Sequence, residues 1–198
     1  VLKEDFDLIY LKSDVNNEVE IDGFTNSFFK TKVLFSKEIL QIKEINKNIF
    51  STSRINFEIK DLYDLAFESG KMSRFNLDKN FGRNNFEELY RKWIDNSLNK
   101  KFADDVLVYQ EDNQILGFVT YKTYKDEATV GLIAVNSISQ GKGIGGKLID
   151  AVENKLILNG VFKLLIPTQL ENTNACGFYE KKEYKISQTT VIKHFWKK

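Results

Sequence analysis

Between Val130 and Lys147 the chain runs from an apolar stretch through a glycine-dense turn into a helical pattern, an order that few folds use. Val130 to Val135 has the length of a buried strand. Gln140-Gly141-Lys142-Gly143-Ile144-Gly145-Gly146 follows, with four glycines in the six positions from Gly141 on. Ile144, Leu148, Ile149, Val152 and Leu156 then fall on one helical face. Glycines let a backbone take positive φ and come close to a ligand. The helix start behind them presents unpaired N–H groups and the positive end of the dipole, and Lys142 and Lys147 add charge. That combination binds phosphate or pyrophosphate.

Two familiar phosphate loops fit the letters and fail on context. Gly141, Gly143 and Gly146 satisfy the dinucleotide fingerprint G-x-G-x-x-G. That fold needs several further βαβ units, and only about fifty residues follow the loop. Gly141 to Lys147 also satisfies most of G-x-x-x-x-G-K-[ST], but Leu148 stands where the Mg²⁺-binding hydroxyl must be.

Composition bounds the rest. With 198 residues, 42% hydrophobic and 29% charged, the chain has enough apolar material for one substantial domain plus an extension, or for two small ones. A net charge of +1 creates no field that favours nucleic acid or an acidic membrane. Cys176 is the single cysteine, which rules out an internal disulfide and agrees with a reducing compartment. No run of about 18 apolar residues and no signal-peptide layout is present, so a cytoplasmic location is expected. The chain begins at Val1 with its one methionine at Met72, so the native start is expected to be missing or processed.

Read in order, Val1 to Phe35 is rich in strand formers, with turns at Asn16-Asn17 and Asp22-Gly23. Ser36 to Arg54 reads as a connecting segment. Ile55, Phe57 and Ile59 alternate as a strand, and Asp61 starts a helix ending near Ser69-Gly70. A polar loop reaches Arg83, and Asn84-x-x-Glu87 reads as the capping box of a second helix. Val106–Gln110 and Ile115–Tyr124 form a hairpin through Asp112-Asn113, and the central strand follows. After the loop helix and its Asn159-Gly160 stop come a strand over 162–168, a helix over 172–183 and a strand over 184–196.

The Gln-x-x-Gly-x-Gly junction, Gln140 to Gly145, and this element order resemble the GNAT acyl-CoA-dependent N-acetyltransferases. The resemblance covers about residues 55–198. It implies an α/β (α+β) fold whose mixed central sheet is flanked by helices and splayed between its central strands. Residues 1–50 are expected as a small partial N-terminal domain and linker, and 51–198 as the acetyltransferase domain. Pro167 is a mild departure, because proline removes a ladder donor; it is tolerated where its strand leaves its neighbour.

The resemblance also implies acetyl-CoA as co-substrate and assigns residues to it. Backbone of Ile133, Ala134 and Val135 would align the pantetheine, and Gln140, Gly141, Lys142, Gly143, Ile144, Gly145, Gly146 and Lys147 would hold the pyrophosphate. Asn172, Ala175 and Tyr179 are spaced to share one helix face. Asn172 would contact the cofactor arm, Ala175 would let it pass, and Tyr179 would be the catalytic donor to the departing sulfur. Cys176 lies off that face, and the one histidine, His194, shows no evident acid partner. No metal-ligand spacing occurs, and no carboxylate stands out as base; a water chain serves as well.

Ser73-Arg74-Phe75, the Trp93 helix, Gly117-Phe118-Val119 and Thr168-Gln169-x-Glu171-Asn172-Thr173-Asn174-Ala175 resemble the GNAT enzymes that acetylate dTDP-fucosamine, a dTDP-linked 4-amino-4,6-dideoxygalactose. That implies a small-molecule amine acceptor on a nucleotide-linked sugar, met by Arg74, Phe75, Thr168 and Gln169. Nucleic-acid and membrane partners are not expected, and homodimerisation is left open. A peptide or ribosomal-protein amine is the alternative acceptor, and a catalytically silent acyl-CoA-binding domain the rival from another class.

Overall fold

In the computed structural model, which describes residues 6–14 and 18–198, eight strands form one mixed sheet with helices on both faces. The strands are β1 (Leu8–Ser13), β2 (Phe24–Glu38), β3 (Ile49–Ser51), β4 (Asp105–Glu111), β5 (Gln114–Tyr124), β6 (Glu127–Val135), β7 (Lys163–Gln169) and β8 (Lys185–Lys197). The helices are α1 (Ile59–Gly70), α2 (Arg74–Leu77), α3 (Arg83–Leu98), α4 (Ile144–Leu158) and α5 (Thr173–Lys181). The sheet order is β1-β8-β2-β7-β6-β5-β4-β3. β6 and β7 pair in parallel and every other neighbouring pair is antiparallel. Among the described residues no helix is long and apolar enough to cross a membrane.

Strand alternation divides the core in two. Val106 and Val108 of β4 face α1 and α3, where they meet Leu62, Leu65, Phe86, Tyr90 and Ile94. Leu107 and Tyr109, one residue out of phase, face α4 and α5, where they join Leu148, Ile149, Val152, Leu156 and Tyr179. Each buried Leu, Ile or Phe side chain contributes about 1.5–3 kcal/mol by leaving water.

The structure departs from the sequence expectations at several points. Ile55, Phe57 and Ile59 do not form a strand: Ile59 already begins α1, and the edge strand is the three-residue β3 upstream. Alternation alone could not separate an extended approach to a helix from a paired strand. Asn84-x-x-Glu87 is not a capping box, since α3 starts at Arg83 after Gly82 at φ 77°, without a side-chain cap. Glu87 instead bonds Arg83 and Arg91, one turn to either side. The polar loop contains the one-turn α2, whose first N–H groups are capped by Ser73. The Asp22-Gly23 turn forms, with Gly23 at φ 77°; the Asn16-Asn17 turn lies outside the described residues.

Among the described residues of the first fifty, β1 and β2 join the same sheet as the rest of the chain. β2 lies between β7 and β8 in the same sheet. Residues 39–48 then cross without regular structure, held where Asn154 of α4 bonds both the N–H and the carbonyl of Lys43, at 2.7 and 3.0 Å.

Candidate active site

The site begins where the sheet opens. β6 and β7 are paired only at Glu127–Lys163, Ala128–Leu164 and Thr129–Leu165, and beyond these they part. Pro167 lies past the last of these pairs, so its missing N–H costs β6 nothing. A bulge in β6 accompanies the parting. Thr120 of β5 faces both Gly131 and Leu132, and the Leu132 N–H bonds its Oγ1 at 2.9 Å instead of a carbonyl. A Cβ on Gly131 would lie 2.7 Å from that oxygen, so a larger residue would force Thr120 out of its bond to Leu132. The extra residue reverses the strand's faces: Ala128 and Val130 sit in the α4–α5 core, Leu132 and Ala134 in the α1–α3 core.

Past the bulge, the alternation of an antiparallel ladder fixes where the main chain points. Leu132 and Asn136 direct their N–H groups to β5, so Ile133 and Val135 direct theirs into the gap. The Gln140 amide donates to the Val135 carbonyl on that side, at 3.2 Å.

The gap opens into a cleft of about 540 Å³ between the strand end, the glycine loop and α5. Ile133, Ala134, Val135, Gln140, Gly141, Gly143, Ile144, Gly145 and Gly146 line it. Gly143 precedes α4 in the left-handed conformation, φ 76°, and Gly141 has φ 78°, both with open space where a Cβ would stand. The first intrahelical bond runs from Lys147 N to Gly143 O, which leaves the N–H groups of the preceding turn for a ligand.

Asn172, Ala175 and Tyr179 reach the same cleft. Asn172 is the N-cap of α5 rather than a residue on its face, and its Oδ1 accepts the Ala175 N–H at 3.2 Å. Tyr179 is 4% exposed, and burial holds its phenol well above the usual range. Among the described residues its hydroxyl has no hydrogen-bond partner. Phe178, absent from the sequence reading, also lines the cleft, 3.5 Å from where a Gly145 Cβ would be.

Two lysines do not join the site. Lys147 lies a full turn past Gly143, with its ammonium over the Tyr109 ring at 5.3 Å in a different groove. Lys142 is exposed and does not line the cleft. The Gly-rich backbone therefore lines the cleft without either lysine side chain.

A second cavity of about 250 Å³ adjoins the first, and the two share Ser69 and Asn172. Arg74, Phe75, Thr168 and Gln169 line it, together with Lys12, Lys32 and Gly131, which the sequence reading missed. The Arg74 guanidinium is held between the Tyr10 and Phe75 rings, at 4.2 and 4.0 Å. One face of Phe75 thus carries Arg74, and its ring also packs on Phe81, so Phe75 supports the arginine rather than offering a stacking surface.

Arg74 is oriented by a buried relay. Its Nη1 lies 3.0 Å from His194 Nε2, and His194 Nδ1 lies 2.5 Å from Asp78 Oδ2. The Trp196 indole also donates to that oxygen, at 2.9 Å. His194 therefore has an acid partner after all, Asp78, 116 residues away in sequence. An arginine can only donate, so the His194 ring accepts at Nε2 and donates at Nδ1 in its neutral form. Burial first, and then the Arg74 charge, hold its pKa below the ordinary value, against the opposing pull of Asp78.

A depressed histidine pKa makes the unfolded chain bind a proton first as pH falls. The stabilisation is present above about pH 6.5 and lost as pH drops through the folded value. Urea midpoints at about pH 7.5 and about pH 5.5 should differ in the wild type, and His194→Gln should narrow that difference. Equal differences in the two proteins would remove His194 from the acid response.

Cys176 is not a partner for this histidine. It sits buried on α5, with its thiol near the Gln169 and Leu170 carbonyls. Among the described residues no cluster of potential metal ligands occurs.

With this geometry in place, the comparisons are decisive for the family. The sequence profile of the acetyltransferase (GNAT) family matches residues 59–184. The chain belongs to that family. The spore coat polysaccharide biosynthesis protein SpsD of Bacillus subtilis is 26% identical over 133 residues, 67% of this chain and 46% of that protein. The [ribosomal protein bS18]-alanine N-acetyltransferase of Haemophilus ducreyi is 31% identical over 90 residues, 46% of this chain and 61% of that enzyme. The chain thus spans about half the length of these curated relatives. Among solved structures, a GNAT-family protein of Novosphingobium aromaticivorans superposes with a TM-score of 0.67 at 11% identity, over 100% of this chain and 77% of that one. The PaiA N-acetyltransferase of Thermoplasma acidophilum, solved with coenzyme A, gives 0.54 at 19% identity, over 74% of this chain and 97% of that one. These structural likenesses extend the fold assignment across the whole sheet.

Proposed function

We propose that the chain transfers the acetyl group of acetyl-CoA to an amine on a nucleotide-linked sugar of the dTDP-fucosamine type. The observation that carries this reading is the junction of the two cavities at the splay between β6 and β7, where both meet Ser69 and Asn172. The cleft suits acetyl-CoA. Its open glycine cradle before α4 takes a pyrophosphate, and the outward main chain of Ile133 and Val135 takes an extended amide arm. The thioester supplies the acyl group.

In the transfer, the acceptor nitrogen attacks the thioester carbonyl. The carbon–nitrogen bond forms, the carbon–sulfur bond breaks, and the amine proton passes to water. An N–H of the β6 gap polarises the carbonyl. Tyr179 hydrogen-bonds the departing sulfur. A phenol held protonated by burial does this better than it surrenders its proton to a thiolate of pKa about 8.5.

The second cavity receives the acceptor. Arg74 offers donors for a phosphate, and Thr168 and Gln169 stand at the end of β7 for sugar hydroxyls. Gln169 Oε1 is buried with no partner among the described residues, so a hydroxyl or amine donor on a bound sugar would satisfy it. Similarity to the spore coat polysaccharide protein agrees with a sugar substrate, and similarity to the bS18 enzyme with a protein amine.

Thiol release from acetyl-CoA with a panel of amines separates the two. dTDP should compete with the acceptor, and Arg74→Ala should raise KM for the acceptor about tenfold or more while KM for acetyl-CoA changes little. No inhibition by dTDP, together with preference for a peptide amine, would overturn the sugar reading and leave acetyl transfer standing.

A further inference from the structure

The geometry points to a phosphate subsite in the second cavity, formed by Lys12 and Lys32 from the N-terminal strands together with Arg74, so that the acceptor amine belongs to a phosphate- or diphosphate-bearing molecule. This deepens the reading of that cavity as the acceptor site and rests on it.

Charge balance is the first argument. Three cations line about 250 Å³, and among the described residues no acidic residue lines it with them. None of the three has a carboxylate partner among the described residues, and Arg74 is turned to a histidine nitrogen and two rings. Lys30, two positions before Lys32 on the same strand, has Glu171 at 3.8 Å. Lys32 lacks such a partner. Burial, and then the Lys12 and Arg74 charges, push its ammonium below the usual range, so the three groups sit in one another's field. Like charges gathered in one another's field repel, and partial burial screens that repulsion less than water does. Folding alone gives no return for gathering such charges; a polyanion does.

Register is the second argument. Lys32 of β2 stands opposite Gln169 of β7, and Lys12 of β1 stands opposite Ile192 of β8, another lining residue. Lys32 therefore occupies the floor directly beside β7, while Lys12 enters the same cavity from β1, with β8 and β2 between it and β7. Gln169 Oε1, buried and without a partner among the described residues, is a neutral acceptor beside these donors.

The same field bears on the chemistry. An acceptor enters most readily with its ammonium deprotonated, because three cations oppose a fourth charge. The neutral nucleophile is thereby favoured without a carboxylate base.

The probe is inorganic pyrophosphate, titrated calorimetrically into the full chain saturated with coenzyme A, so that the glycine cradle is already filled. Wild type should bind it. Lys32→Gln and Lys12→Gln should each weaken binding about tenfold, and the double variant about a hundredfold. Lys30→Gln, whose lysine is already paired, is the control and should bind as wild type. Melting temperatures establish that each variant is folded. Unchanged pyrophosphate affinity in a folded double variant would overturn the subsite.

Two further titrations distinguish the source of the phosphate. Tighter binding of dTDP than of an amino-sugar phosphate, lost in the double variant, assigns a nucleoside diphosphate. The reverse order assigns a sugar phosphate. If the lysines bind pyrophosphate while no dTDP-linked amino sugar is acetylated, the subsite stands and the dTDP-sugar reading fails.

Discussion

Tyr179→Phe is expected to lower kcat by about 10²–10⁴-fold while KM for acetyl-CoA stays near its wild-type value. The ring and the hydroxyl have separable roles. The ring is core: it lies against Phe35, Phe178 and Tyr184, with centroids 5.5, 5.2 and 6.3 Å away, and phenylalanine preserves those contacts. The hydroxyl has no partner among the described residues, yet the residue lines the cleft. Removing it therefore breaks no hydrogen bond within the fold, and the melting temperature should scarcely move. What it removes, on the proposed mechanism, is the donor to the departing sulfur. A single-turnover measurement of thiol release separates this from slow product release. A variant with a lowered melting temperature and normal turnover would make Tyr179 a packing residue and put the donor elsewhere.

The parts of this site written by local chemistry were legible in the sequence, and the parts written by long-range pairing were not. Glycines at positive φ before an amphipathic run announce Gly141, Gly143 and α4, because both signals depend on neighbours in the chain. The face shared by Ala175 and Tyr179 follows from helix geometry alone. Lys147 shows the limit of that logic. Proximity to a loop in sequence does not decide which way a side chain leaves the helix, and this one leaves toward Tyr109.

The bulge at Gly131 hid inside an apolar run, because one extra residue alters a strand's register without altering its composition. Asp78 and His194 are separated by 116 positions, and no local pattern joins them. The floor of the second cavity was hidden for the same reason. β2 forms between β7 and β8, and only that pairing brings Lys32 beside Gln169. The relay then explains why Arg74 is available. The carboxylate of Asp78 is bonded by His194 and Trp196, so among the described residues Arg74 faces the cavity with no carboxylate partner of its own.

Gly143→Asp is expected to weaken acetyl-CoA binding by about a hundredfold or more in a protein that still folds. Two costs act, and they fall on different measurements. Gly143 has φ 76° and ψ 6°, where a residue with a Cβ is strained by roughly 1–2 kcal/mol. That strain belongs to the folded chain and lowers the melting temperature. It involves no collision, because nothing lies within 4 Å of the new Cβ. The second cost appears only when a ligand arrives. A carboxylate at this position competes for the free N–H groups of Ile144 to Gly146 and repels a phosphate, each effect being worth about 1–3 kcal/mol, or about tenfold per 1.4 kcal/mol. Gly160→Asp isolates the first cost. Gly160 lies just past the other end of α4, at φ 74° and also with open space at its Cβ, but away from the cleft. It should lose similar stability and bind acetyl-CoA as tightly as wild type. Calorimetry on both folded variants reads the difference. Equal affinities would mean that the glycine cradle is not where the pyrophosphate sits.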